Sequence, residues 1–101
     1  MADPSGMIPH LLGISLDGSG VAATKVVAIN RTTGDRLAGS TNSDKVVIFD
    51  AANFTSGYTD GDIVDFENVG GSVGKATITI SGGFQQAEIT CAAASTVSTT
   101  L

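Results

Sequence analysis

The chain has 101 residues, a net charge of −5 and a charged content of 15%, against about 25% in an ordinary soluble domain. That length suits one domain with one core. Its five Lys and Arg residues are scattered singly and only 5% of the chain is aromatic, which argues against a nucleic-acid surface or a patch for anionic membranes. A lone cysteine, Cys91, excludes an internal disulfide.

The N-terminus, MADPSGMIPHLL, carries neither the basic start nor the long apolar run of a secretory leader. No window approaches the ~20 apolar residues of a membrane span. We therefore expect assembly inside a cell. Pro4 and Pro9 oppose regular structure, so residues 1–10 are expected to form an extended arm, with Ile8 as an apolar anchor.

Residues 11–16 read as a first strand, closed by the Asp17-Gly18-Ser19-Gly20 turn. Residues 21–30 read as a second, with Val and Ile on both faces near its centre, the mark of a strand covered on each side. Arg31-Thr32-Thr33-Gly34 turns the chain into a return strand over 35–40. After Asn42-Ser43-Asp44 comes a strand over 45–50. Asp50 is then a good N-cap for one helical turn at Ala51-Ala52, which would point Phe54 into the core. Residues 55–61 read as loop. Over 62–68, Val64 and Phe66 alternate with Asp65 and Glu67, which predicts one face on the core and one in water. Strands over 75–81 and 85–91 are expected to join through a two-residue Gly82-Gly83 hairpin. The uncharged end, residues 92–101, reads as a tail or an edge strand in search of a partner, with Val97 and Leu101 as anchors. About seven short strands with regular turn signals predict an all-β, immunoglobulin-like sandwich: an arm over 1–10, the sandwich over 11–91 and a tail over 92–101.

Chemistry is sparse. His10 is the sole histidine and sits in the expected arm, so Cys91 has no base beside it and reads as a small buried hydrophobe. Asp60 and Asp62 are weak calcium candidates. Asp65 stands an odd number of residues from Asp62 and faces the other way. Asn30 and Asn53 match the glycosylation triplet but are expected to brace turns with their side chains. Gly70–Lys75 lacks the spacing of a phosphate loop. Tyr58 could serve a ligand loop; the plainer expectation is a ring folded over the end of the domain with its hydroxyl wet. No enzyme activity, cofactor or metal is expected.

The stretch VVAINRTTGDRLAGSTNSDKVVIFDAANF resembles the transthyretin-like, carboxypeptidase-regulatory-like sandwich domains. The resemblance lies in a strand ending at Asn30, the Thr33-Gly34 turn, Thr41-Asn42 and a strand ending in the aromatic Phe49; Asp44-Lys45 departs from it, standing where a glycine turn is usual. More narrowly, VVIFDAANFTSGYTDGDIVDF resembles a segment of small structural proteins of tailed prokaryotic viruses. That resemblance implies a non-enzymatic structural virion protein, assembled in the host cytoplasm. It would decorate or extend the capsid in contact with other virion proteins; the low charge separately leads us to expect a homo-oligomer or docked subunit, and the scattered basic residues no nucleic acid or membrane partner. The alternative expectation is a cell-surface adhesion or carbohydrate-binding module.

Overall fold

A computed structural model describes residues 8–18, 23–69 and 72–93. The chain folds as an all-β domain of seven strands: β1 (Leu11–Gly18), β2 (Lys25–Asn30), β3 (Arg36–Ser40), β4 (Val46–Asp50), β5 (Ile63–Asn68), β6 (Ser72–Thr79) and β7 (Gln85–Ala93). They form one sheet in the order β3-β2-β5-β6-β7-β1-β4. Neighbours are antiparallel except β1 and β7, which run parallel from Leu12↔Gln85 to Gly18↔Cys91. The sheet is nearly closed. Its edge strands β3 and β4 meet through side chains, with Gly39 against Val47 and Phe49, but do not pair.

Alternation decides what fills the interior. Leu12, Ile14 and Leu16 of β1, Val26 and Ala28 of β2, Val47 and Phe49 of β4, Val64 and Phe66 of β5, Ile78 of β6, and Ile89 and Cys91 of β7 all point inward. Phe49 and Phe66 pack with ring centroids 5.8 Å apart. As expected, Val64 and Phe66 are fully buried and Cys91 behaves as a small core residue. Asp65 and Glu67 occupy the outer face, where Arg31 and Lys75 meet them at 2.7 and 3.4 Å.

Several boundaries differ from the sequence reading. β2 lies inside the sheet between β3 and β5, yet Val27 and Ile29 are only half-buried, because no second layer of described residues covers that face. The Gly82-Gly83 hairpin is not a two-residue turn. β6 ends at Thr79 and β7 begins at Gln85, so residues 80–84 form the connection. These two strands pair only at their far end, Ser72↔Ala93 and Val73↔Ala92. Near the turn the side chain of Gln85 bridges them instead, accepting from Ser81 N and donating to Thr79 O. Gly74 permits the close crossing: a Cβ there would lie 2.4 Å from Ile89 Cγ2. β7 also runs past the expected end at Cys91, because Ala92 and Ala93 supply that pairing.

The helical turn forms as expected. Asp50 accepts from Ala52 N, and Ala51–Asn53 make a single 3-10 turn that delivers Phe54 to the core. The Asp44-Lys45 departure has a visible consequence. Lys45 takes a φ of 64°, the left-handed region a glycine would fill without strain. Asn42 braces that turn by accepting from Asp44 N and Val46 N.

Candidate functional site

Two regions gather the residues singled out in the sequence. The first is the polar end of the domain around Asn30 and Asp62. Asn30 closes β2, fully buried, and its Oδ1 accepts from Thr32 N and Thr33 N, the turn-bracing role expected of it. Its Nδ2 donates to Asp62 Oδ2 at 3.0 Å, and Thr59 N donates to the same oxygen. Asp62 is thus a buried clasp between the β2 turn and the loop before β5. Asp60 is exposed. No group of three or more acidic, His or Cys side chains suited to a metal ion occurs among the described residues. As expected, Asp65 lies on the opposite face from Asp62, in a two-pronged bond with Arg31 Nε and Nη2.

Nearby, Asp35 reaches across the chain to accept from Ser56 N at 2.9 Å. That amide holds its carboxyl below the usual carboxylate range, with help from Thr33. Bonds from Arg31 and then Thr77 lower Asp65 likewise, and the Arg31 guanidinium is raised in turn. Sequence pattern gave no sign of the Asp35–Ser56 link, because the partners stand 21 residues apart in two loops.

The second region surrounds the start of the described chain. Tyr58 is buried, and its hydroxyl donates to Ile8 O at 2.7 Å. His10 is buried too. Its N–H donates to Asp50 Oδ1, its Nε2 hydrogen-bonds Gln85 Oε1 at 2.8 Å, and its ring packs 5.3 Å from that of Tyr58. Ala51 N donates to His10 O. Residues 8–10, assigned to the arm in the sequence reading, are therefore clamped to the Asp50–Asn53 turn, the Tyr58 loop and β7 of their own chain. Residues 1–7, Val97 and Leu101 lie outside the described residues.

From this clamp an apolar patch extends over the start of β1, the outer side of β4 and the turn before β7, while the outward residues of β7 itself, Gln86, Glu88 and Thr90, are polar. Ile8, Leu11, Ile48 and Phe84 are 57%, 41%, 57% and 51% exposed. Phe84 joins two shallow grooves, one lined by Ile8, Pro9 and Leu11 and the other by Gly13, Val46 and Ile48. Its ring lies over Gly13, where a Cβ would come within 3.0 Å of it. The outer face of β2-β5-β6 has the opposite character: Arg31, Asp65, Thr77, Glu67 and Lys75 interlock there. Phe84 and Ile48 were not singled out in the sequence. An aromatic directly after Gly82-Gly83, at a turn tip, was the available signal.

Comparison with protein-family profiles, with curated proteins and with solved structures finds no match. No helix among the described residues is long and apolar enough to cross a membrane.

Proposed function

We propose that this chain is a structural protein of a prokaryotic virus particle, a transthyretin-like β-sandwich that decorates or extends the capsid through contacts between subunits. The observation carrying this reading is the exposed apolar patch of Ile8, Leu11, Ile48 and Phe84. Contiguous apolar surface of this kind marks an interface. The resemblance of residues 46–66 to small virion proteins says which kind of assembly would cover it. The density of internal braces fits a rigid block. Val97 and Leu101 are proposed as anchors that extend onto a neighbour by strand addition, and Ile8, its backbone held by Tyr58, as an anchor through its exposed side chain.

A carbohydrate-binding module built on Tyr58 has less support, because its ring is buried and its hydroxyl already serves Ile8. Mass spectrometry of purified particles tests the proposal. The protein is expected in high copy, and its absence from them overturns the reading.

A further inference from the structure

The edge strands of the sheet differ in how their outward backbone groups are used. In the β2–β3 ladder, Asn30 N donates to Asp35 O and Thr41 N to Thr24 O. Hydrogen-bonded pairs alternate along an antiparallel ladder. Asp35, Leu37, Gly39 and Thr41 therefore face β2, while Arg36, Ala38 and Ser40 turn their N–H and C=O groups away from it. No bond from those six groups to a described residue is present. On β4, by the same logic from Leu16 N→Lys45 O, the outward residues are Val46, Ile48 and Asp50. There Asn42 claims both groups of Val46, donating to Val46 O and accepting from Val46 N, and only those of Ile48 and Asp50 have no bond to a described residue.

β3 also lacks the usual guards of an exposed edge. It contains no proline, its residues pair one-to-one with β2 without a bulge, and its one charge, Arg36, stands at its end.

We propose that β3 is a homodimer edge, pairing antiparallel with β3 of a second copy about a two-fold axis at Ala38. Parity allows this register. The outward residues of one copy meet the outward residues of the other: Arg36 faces the partner's Ser40, Ala38 faces the partner's Ala38, and Ser40 faces the partner's Arg36. All six unclaimed groups on each strand then find partners. The smallest of the three side chains sits at the axis and no like charges stand opposite each other. The same chain thus supplies the complementary edge, which is why a second copy is the occupant rather than an unrelated strand. This proposal stands independently of the particle reading.

The test is sedimentation of the full chain over a concentration series. Wild type is expected to form dimers. Ala38→Pro removes one outward N–H without touching the β2 ladder, so it should leave a folded monomer with an unchanged far-ultraviolet spectrum. Ala38→Asp, which sets like charges against each other at the axis, serves as the second variant should proline disturb the fold. Register is read by crosslinking. Directly opposed residues of a hydrogen-bonded pair have Cα atoms about 5.5 Å apart, within the roughly 4.4–6.8 Å of a disulfide. Ala38→Cys should therefore crosslink to itself on oxidation, mapped to position 38 because Cys91 is buried. Arg36→Cys should crosslink only when mixed with Ser40→Cys. A wild-type monomer at every concentration, a dimer that survives both Ala38 variants, or self-crosslinking at position 36 as efficient as at 38 overturns the proposal.

Discussion

Asn30 Nδ2 lies 3.0 Å from Asp62 Oδ2 with both residues buried, and this contact ties the end of β2 to the loop that launches β5. Removing Asn30 takes a donor from a buried carboxylate and an acceptor from Thr32 N and Thr33 N. Asn30→Ala should cost about 2–3 kcal/mol, the penalty of leaving buried polar groups unpaired. Asp62→Asn keeps an oxygen for Thr59 N but loses the charge, and should cost about 1 kcal/mol. Urea unfolding of both variants measures the difference; equal costs would place the clasp elsewhere.

Tyr58 acts through two parts of one side chain. Its ring belongs to the core and its hydroxyl holds Ile8 O at 2.7 Å. Tyr58→Phe should lower stability by only about 1 kcal/mol, yet speed proteolysis near Ile8. Tyr58→Ala removes the ring and should cost about 3 kcal/mol or more. Limited proteolysis beside thermal denaturation separates the two effects.

Two glycines make opposite predictions. A Cβ on Gly74 meets Ile89 Cγ2 at 2.4 Å and the Thr90 carbonyl oxygen at 2.9 Å, where β6 crosses β7. Backbone cannot step aside as a side chain can, so Gly74→Ala should destabilise by about 2 kcal/mol. A Cβ on Gly13 first meets the tip of the half-exposed Phe84 ring, at 3.0 Å. That ring can swing out, so Gly13→Ala should cost well under about 1 kcal/mol while displacing Phe84 from the apolar face. Chemical denaturation of the two variants checks the ranking.

Acid should weaken the outer clasps. Asp65 is held below the ordinary carboxylate range by Arg31 and then Thr77, and Asp35 by Ser56 N. A carboxylate lowered in the folded state contributes stability that is fully present above its unfolded value, about pH 4. That contribution disappears as pH falls through the lowered folded value. The Arg31 guanidinium is raised and keeps its charge throughout this range. Arg31→Gln should therefore be less stable than wild type above about pH 4, with the gap closing as pH falls below that. The gap should also shrink in salt, since the pair is exposed. Unfolding midpoints across that range read both signs.

The strands were legible because apolar alternation and turn residues are local. Val64-Phe66 against Asp65-Glu67 announced its own two faces, and Asp50-Ala51-Ala52 announced its cap. What sequence could not announce was contact between distant segments. His10 looked like part of a loose arm, but its anchors, Asp50 and Gln85, stand 40 and 75 residues away. The Gly82-Gly83 signal named a turn correctly and mistook its size. The splay of β6 from β7 is set by Gln85 bridging to Thr79 and Ser81, which no local rule encodes. Exposure of Ile48 follows from which face of β4 meets the core, and that depends on its pairing with β1.

The tail supplies the prediction that separates folding from assembly. Ala92 and Ala93 complete the only ladder between β6 and β7, so the sheet is closed at that corner by the last described residues. Deleting 92–101 should destabilise the fold by about 1–2 kcal/mol, as two backbone pairings are lost. Deleting only 94–101 leaves that ladder whole, and the thermal midpoint should move by no more than a few degrees. If the terminal anchors Val97 and Leu101 serve assembly, the shorter deletion should still abolish docking. On the proposed virion role, particles stripped of the protein and reconstituted with the 94–101 deletion are expected to retain none of it, while the proposed β3-edge dimer persists in sedimentation. Retention at the wild-type level would remove the tail from the assembly contact. A large fall in thermal midpoint would instead make residues 94–101 part of the fold.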